Sequence, residues 1–262
     1  MKLSQNLKLA IDASIQAGKK IIEIHDSDNF DLEYKLDDSP ITLADTASNK
    51  IIETILEASN IPILSEEGNI LDFNKRNNLK YLWIVDPLDG TKEFIKKNNE
   101  FTVNIALIEN SKPVIGVIYA PALNVLYFSE KKLGTYKIFI TAFDKFDKSK
   151  ALSLPLVEKI NEYKVLTSRS HLNYKTLDYI DNLKVNNIKV VSVPMGSSLK
   201  FCLLAEGLAD CYPRFSPCME WDTAAGQIIC EETGFKVDDL KTMKPIIYNR
   251  ENLINNYFIA KK

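Results

Sequence analysis

The first sixty residues place apolar side chains at helical spacing. Apolar residues recur every three or four positions from Leu3 to Ile22, and again from Leu43 to Ala58. This spacing puts the apolar side chains on one face of a helix. The sequence therefore predicts two amphipathic helices, the second of which starts near Thr42.

The next part of the chain has the pattern of β-strands. Runs rich in β-branched and aromatic residues follow one another with short connections, some of which contain Pro or Gly. The predicted strands are residues 81–85, 101–108, 114–119, 125–128 and 135–140. Because short connections join antiparallel neighbours, we expect an antiparallel meander.

After residue 150 the pattern changes to an alternation of strands and helices. The predicted strands are residues 164–167, 189–193 and 209–212, and the predicted helices are residues 174–183, 197–205 and 222–232, the last closed by Gly234. Such alternation is typical of a layered α/β architecture. The segment 141–155, which is polar and rich in Lys and Asp at first, is the expected boundary. We therefore predict two domains, an α+β half over residues 1–150 and an α/β half over residues 151–262.

The composition is that of a globular protein with no general affinity for polyanions. The chain has 262 residues, 45% hydrophobic and 26% charged, with a formal net charge of −2. Without a basic excess, nucleic acid polymers and anionic membranes are not expected partners. The apolar stretch 114–123 is far too short to span a bilayer, and the N-terminus lacks the apolar core of a signal peptide. The expected location is the cytoplasm, with peripheral association at the inner face of the cell membrane as a second option.

Two carboxylates follow the predicted strand 81–85 in the stretch WIVDPLDGTKEFI. Pro87 ends the strand, and Gly90 permits a tight turn, so Asp86 and Asp89 can converge on one point. Carboxylates this close either share a proton or bind a cation. The alternative is a turn aspartate followed by an aspartate that caps a helix over residues 92–97.

Further acidic residues lie at the ends of other predicted elements. Glu66 and Glu67 follow an apolar run, Asp222 begins a predicted helix, and Asp45 lies three residues after Thr42. Each has an ordinary alternative, namely a solvated loop, a helix N-cap or a capping box. The four cysteines contain no C-x-x-C pair and there are two histidines, so the ligand chemistry favours Mg²⁺ over zinc. Together with an anion-binding turn at residues 90–91, this set indicates metal-assisted hydrolysis of a phosphate ester.

Three motifs in this order resemble those of the inositol monophosphatase superfamily of lithium-sensitive, Mg²⁺-dependent phosphatases. They are S-E-E at residues 65–67, D-P-L-D-G-T at residues 86–91 and W-D at residues 221–222, and the resemblance covers nearly the whole chain. The segments 92–107, 167–171, 196–200 and 207–214 are most similar to the CysQ-type 3′(2′),5′-bisphosphate nucleotidases of that superfamily.

The resemblance implies a fold and a metal site. The implied fold is the layered αβαβα sandwich of the inositol monophosphatase and fructose-1,6-bisphosphatase type, with the site between its halves. The implied ligands of two or three Mg²⁺ ions are Glu66, Asp86, Asp89, Asp222 and the carbonyl of Leu88, most of them in the N-terminal half. The implied catalytic residues, which orient and activate the attacking water, are Asp45, Thr91 and the ligand Glu66.

The resemblance also implies a substrate. The implied substrate contacts are Leu88, Asp89, Gly90, Thr91, Thr167, His171, Gly196, Lys200, Arg214 and Asp222. The expected reaction removes the 3′-phosphate of adenosine 3′,5′-bisphosphate, and the sulfated analogue is a further expected substrate. A second phosphate needs cations of its own, which Lys200 and Arg214 can supply, although both residue types are also common on surfaces. The alternatives are an inositol or sugar phosphatase, and a nucleotide-binding regulator without turnover. A monomer or weak homodimer is expected.

Overall fold

The protein forms two large β-sheets with helices between them and on their outer faces. A computed structural model describes residues 2–27, 31–34, 40–141, 145–156, 162–170, 172–185 and 189–262. The helices are α1 (Gln5–Ser27), α2 (Leu43–Leu56), α3 (Phe73–Arg76), α4 (Thr91–Ile95), α5 (Tyr174–Val185), α6 (Leu199–Glu206) and α7 (Ala224–Glu231). The strands are β1 (Glu33–Tyr34), β2 (Pro40–Ile41), β3 (Ile63–Ser65), β4 (Tyr81–Asp89), β5 (Thr102–Glu109), β6 (Lys112–Ala120), β7 (Val125–Glu130), β8 (Gly134–Phe139), β9 (Leu152–Ser153), β10 (Tyr163–Ser168), β11 (Val190–Met195), β12 (Cys211–Arg214), β13 (Lys236–Asp239), β14 (Lys244–Pro245) and β15 (Phe258–Lys261).

The first sheet has seven strands in the order β3-β4-β5-β6-β7-β8-β9. Strands β4 to β8 pair with their neighbours in antiparallel fashion, which confirms the predicted meander. Strand β3 instead runs parallel to β4, with Ile63 opposite Trp83. Because parallel strands end at the same edge of a sheet, the acidic residues that follow β3 lie beside those at the end of β4.

Helices α1 and α2 cover one face of this sheet, as their apolar spacing predicts. Leu7, Ile21 and Ile52 from the helices are fully buried with Trp83 and Val117 from the strands. A capping box begins α2, in which the Thr42 side chain accepts a hydrogen bond from the Ala44 amide.

Helices α6 and α7 cover the opposite face, and α7 approaches the sheet very closely. A Cβ atom on Gly116 of β6 would lie 2.6 Å from the carbonyl oxygen of Ala225 in α7. A Cβ atom on Gly226 would lie 2.2 Å from the Phe201 ring of α6. These glycines let α7 lie directly against both the sheet and its neighbouring helix.

The second sheet has six strands in the order β11-β10-β12-β15-β13-β14. Strand β10 is parallel to β11 and β12, whereas β15 is antiparallel to β12 and β13. Ile180 of α5 packs against Val165 and Cys211 on the outer face. The layers therefore run helix, sheet, helix, sheet, helix, which confirms the predicted αβαβα sandwich.

The two sheets share one apolar core. It contains Ile84 and Ile118 from the first sheet, Ala225 from α7, and Tyr212 and Phe258 from the second sheet. Along the chain, β9 is the last strand of the first sheet and β10 is the first strand of the second sheet. The division into two domains at residue 150 stays a prediction. Among the described residues, no helix is both long and apolar enough to cross a bilayer.

Candidate active site

Three of the predicted acidic residues converge at the ends of neighbouring elements. Glu66 follows β3 and its amide donates to the Val85 carbonyl at 3.1 Å, which places it next to Asp86 of β4. Asp222 closes a short 3-10 turn just before α7. Carboxylate oxygens of Glu66, Asp86 and Asp222 lie within 4.8 Å of one another. Residues separated by more than 150 positions in sequence thus form one cluster.

The irregular end of β4 after Asp86 is held by local contacts. The Leu88 amide donates to Asp86 Oδ1 at 3.1 Å, and the Ser48 hydroxyl donates to the Pro87 carbonyl at 2.8 Å. Gly90 has a φ of +93°, which favours glycine, and a Cβ atom there would lie 3.2 Å from the Glu100 carbonyl. Asp86 and Asp89 both lie in β4, which continues through Pro87 with a register shift between the two aspartates. The prediction that Pro87 ends the strand was therefore wrong, and the tight turn at Gly90 follows Asp89.

Burial and mutual repulsion raise the pKa values of these carboxyl groups. Burial is the largest cause for Asp86, whose pKa is well above its ordinary value, and Glu66, Asp89 and Asp222 raise it further. Burial, Asp89 and Glu66 raise the pKa of Asp222 to about 8. Buried carboxylates in such proximity favour a bound cation, and an all-oxygen donor set suits a hard metal ion. These residues can therefore hold a metal ion.

Asp45 caps helix α2 and also contacts the Thr91 hydroxyl at the candidate site. Its Oδ2 accepts hydrogen bonds from the Thr42 amide at 2.8 Å and the Thr42 hydroxyl at 2.6 Å, which completes the capping box of α2. Its Oδ1 lies 3.2 Å from the Thr91 hydroxyl, which lies 3.3 Å from the Leu88 carbonyl. Burial raises the pKa of Asp45 to about 6. The carboxylate that caps α2 thus also accepts a hydrogen bond from the Thr91 hydroxyl at the start of α4.

A cavity of about 500 Å³ opens between the carboxylate cluster and the second sheet. The predicted site residues that line it are Glu66, Asp86, Leu88, Asp89, Gly90, Thr91, Gly196, Lys200, Arg214 and Asp222. Thr167 is not among the residues that line it, since its side chain is buried in β10 and lies 3.3 Å from the Ser192 hydroxyl. Ser168 and Ser170 line the cavity instead. His171 lies outside the described residues.

The two predicted substrate-binding cations line the same cavity, and both lie close enough to Asp89 and Asp222 to interact with their charges. Lys200 is buried, and its Nζ donates to the carbonyls of Met195 and Ser197 and lies 5.3 Å from the Tyr212 ring centroid. Burial lowers the pKa of Lys200 to about 8. Arg214 donates from Nη2 to the Pro217 carbonyl, and its buried Nε has no hydrogen-bond partner among the described residues. Lys200 is therefore not a solvated surface lysine, and Arg214 retains an unused donor.

Two polar residues that the sequence analysis did not identify support Asp89. Asn104 donates from Nδ2 to Asp89 Oδ2 at 3.2 Å, and the Ser198 hydroxyl donates to Asn104 Oδ1 at 2.6 Å. Asn104 is a buried amide in β5, and the apolar residues 105–108 follow it directly. An amide side chain directly before an apolar run was the signal available in the sequence.

The family model of the inositol monophosphatase family matches residues 2–261. The chain belongs to the inositol monophosphatase family. It is 41% identical over 246 residues to the 3′(2′),5′-bisphosphate nucleotidase CysQ of Shigella flexneri, which covers 92% of this chain and 94% of the relative. It is 42% identical over 256 residues to the enzyme of the same name from Buchnera aphidicola, which covers 93% of this chain and 89% of the relative.

Solved structures show the same fold. The crystal structure of CysQ from Bacteroides thetaiotaomicron superposes with a TM-score of 0.90 at 43% identity, over 98% of this chain and 96% of that one. An inositol monophosphatase from Thermotoga maritima superposes with a TM-score of 0.76 at 21% identity, over 98% of this chain and 92% of that one. The second likeness concerns the fold alone, whereas the first also matches the predicted branch of the family.

Proposed function

We propose that this protein is a 3′(2′),5′-bisphosphate nucleotidase that hydrolyses adenosine 3′,5′-bisphosphate to AMP and phosphate. The observation that carries the proposal is one cavity that is lined both by the carboxylate cluster and by the cations Lys200 and Arg214. The CysQ relatives at 41–42% identity support it, since their names state this activity.

The residues of the cluster suit Mg²⁺ as the metal. Carboxylate and carbonyl oxygens are the ligands that Mg²⁺ prefers. Two or three ions would therefore be held by Glu66, Asp86, Asp89, Asp222 and the Leu88 carbonyl. When bound, Mg²⁺ lowers the pKa of a coordinated water and neutralises charge on the phosphate.

The pair Thr91 and Asp45 serves the attacking water. The Thr91 hydroxyl accepts a hydrogen bond from the water and passes a proton to Asp45 Oδ1, which lies within hydrogen-bond distance. A pKa of about 6 leaves Asp45 ionised at neutral pH and therefore able to take this proton. The amides of Gly90 and Thr91, which follow the tight turn, bind the scissile phosphate.

Lys200 and Arg214 bind the 5′-phosphate. A buried ammonium and a guanidinium with an unused Nε–H are suited to a second anionic group outside the metal cluster. An inositol monophosphate carries no such group, so these cations favour the bisphosphate over the inositol alternative. The role of His171 as a substrate contact, the cytoplasmic location and the monomeric or weakly dimeric state stay predictions.

Phosphate release from three substrates tests the proposal. With Mg²⁺, adenosine 3′,5′-bisphosphate and its sulfated analogue should be hydrolysed with a higher kcat/KM than inositol 1-phosphate, and EDTA should abolish release. A preference for inositol 1-phosphate would favour the inositol phosphatase instead. Tight nucleotide binding without phosphate release would favour the regulator.

LiCl should inhibit more strongly than NaCl at the same ionic strength, as the family resemblance implies.

A further inference from the structure

The side chain of Glu100 joins two separate segments of the second half to the first. Its Oε2 accepts hydrogen bonds from Arg169 Nε at 2.7 Å and from the Gly196 amide at 2.7 Å. Its Oε1 accepts one from Arg169 Nη2 at 2.6 Å. Glu100 lies just before β5, Arg169 just after β10 and Gly196 just after β11. One carboxylate thus holds the ends of two parallel strands.

A second carboxylate holds the same region from inside the cavity. Glu93 of α4 is buried and lines the cavity, and its Oε1 accepts a hydrogen bond from the Ser170 hydroxyl at 2.5 Å. Ser170 follows Arg169 directly, so two successive residues are bound by two acidic side chains of the first half. We call Glu93, Glu100, Arg169, Ser170 and Gly196 the clasp.

Glu100 of the clasp is closely packed against the backbone at Gly196 and at Gly90. A Cβ atom on Gly196 would lie 2.9 Å from both the Cβ and the carbonyl oxygen of Glu100. The same carbonyl is the closest neighbour of the Cβ position of Gly90, at 3.2 Å. Glu100 therefore packs between the turn next to the metal ligands and the segment that leads to Lys200.

We propose that Glu93 and Glu100 are positioning residues that set the affinity for the nucleotide portion of the substrate. They hold residues 168–170 and 196–198, which form the cavity wall on the side of Lys200. This inference rests on the proposed function. An isolated exposed ion pair is weak, but the two parallel bonds from Arg169, together with the Gly196 amide, fix the carboxylate in one orientation. Neither acid belongs to the cluster of Glu66, Asp86 and Asp222.

The variants Glu100→Gln and Ser170→Ala test the clasp in kinetics. Glutamine has one acceptor oxygen and no charge, so it cannot keep all three hydrogen bonds. We expect the KM for adenosine 3′,5′-bisphosphate to rise about tenfold in Glu100→Gln and about threefold in Ser170→Ala, with kcat within about twofold of the wild type. The inhibition constant of inorganic phosphate, which needs the metal end alone, should not change. The matched control is Glu162→Gln. It removes the ion pair between Glu162 and Lys189, both of which lie in the second half.

Hydrogen–deuterium exchange provides a second measurement that does not depend on turnover. In the ligand-free protein, amides of residues 194–199 should exchange faster in Glu100→Gln than in the wild type or in Glu162→Gln. An unchanged KM in Glu100→Gln, or an equal rise in the inhibition constant of phosphate, would overturn the proposal. If the wild type does not hydrolyse the bisphosphate, the proposed function fails while the exchange experiment still decides the clasp. Unchanged exchange then overturns the clasp as well.

Discussion

Asp222 shows how a single residue of the cluster costs stability when no cation is bound. Burial and its acidic neighbours raise its pKa from 3.8 to about 8, so the folded protein binds the proton more tightly than the unfolded chain. The stabilising contribution of that proton is complete below about pH 4 and is lost as the pH rises to about 8. The metal-free protein should therefore become less stable over this range.

The variant Asp222→Asn should separate stability from activity. In EDTA its melting temperature should exceed that of the wild type by a few degrees at about pH 8, and by less at about pH 5, because asparagine carries no charge to bury. With Mg²⁺ its kcat/KM should fall about 100-fold or more, since a proposed metal ligand is lost. Differential scanning calorimetry and phosphate release measure the two effects. Asp181→Asn, which removes an exposed carboxylate, is the control. A lower melting temperature in EDTA at about pH 8 would contradict the prediction.

Lys200 should give substrate-dependent pH behaviour. Burial lowers its pKa to about 8, so the side chain is protonated below this pH and loses its charge above it. The kcat/KM for adenosine 3′,5′-bisphosphate should therefore decline above about pH 8 more steeply than that for 3′-AMP, which has no 5′-phosphate. Lys200→Ala should cost about 10- to 150-fold on the bisphosphate and largely spare 3′-AMP. If kcat/KM declined with pH in the same way for both substrates, Lys200 would not bind the 5′-phosphate.

At the scale of elements, the turn between β4 and α4 depends on one backbone conformation. Gly90 adopts a φ of +93° at a position where a Cβ atom would crowd the Glu100 carbonyl. Gly134, at the start of β8, has a φ of +91° but its nearest neighbour would lie 3.9 Å away. The two glycines therefore share the conformational requirement and differ in crowding and in distance along the chain from the site.

The variants Gly90→Ala and Gly134→Ala form a matched pair. Each should lower the free energy of unfolding by about 1–2 kcal/mol, because alanine is strained at positive φ. Only Gly90→Ala should also lower kcat, by more than about tenfold, since the Gly90 and Thr91 amides and Asp89 would shift. Urea unfolding and steady-state kinetics measure both effects. Equal activity in the two variants would show that the turn does not position the phosphate.

The elements and acids that the sequence predicted have local signals. Apolar spacing predicted α1 and α2, and the D-P-L-D-G-T motif marked the strand end and turn that carry Asp86 and Asp89. Thr167 as a substrate contact stays a prediction. Successive residues of a strand point to opposite faces, and Ser168 is the residue of this pair that lines the cavity. Strand β15, whose four residues pair with β12 on one side and β13 on the other, was not predicted.

The clasp had no local signal at all. Glu100 contacts Arg169 and Gly196, which lie 69 and 96 residues away along the chain. Nothing in the spacing around residue 100 distinguishes this carboxylate from a solvated one. Such contacts follow from how the two sheets pack, which single-sequence periodicity does not encode.

At the scale of the whole molecule, a buried ion pair joins the first sheet to the inner helices. Lys137 of β8 donates to Glu206 of α6 at 2.7 Å, and the Tyr127 hydroxyl donates to the other carboxylate oxygen at 2.6 Å. Their side chains are 12% and 5% exposed for Lys137 and Glu206. Removing the lysine alone leaves a buried charge without its partner.

The variant Lys137→Met should therefore lower the free energy of unfolding by about 3 kcal/mol. The double variant Lys137→Met/Glu206→Gln should recover part of this loss, because glutamine is neutral and still accepts the hydrogen bond from Tyr127. Urea unfolding measures both. Lys184→Met, which breaks an exposed pair with Asp181, should cost less than about 0.5 kcal/mol. Additive losses in the double variant would contradict this account of the pair.

The close approach of α7 to β6 at Gly116 has a consequence for how this protein evolves. Asp222 comes just before α7, so its place beside Glu66 and Asp86 depends on how far that helix stands from the sheet. In most proteins, replacing a buried glycine by alanine affects function only through the stability of the fold. Here the same change would also displace Asp222, the proposed metal ligand from the second half of the chain. Neutral drift in the packing of the two layers is therefore restricted by selection on catalysis, even among sequences that remain well folded.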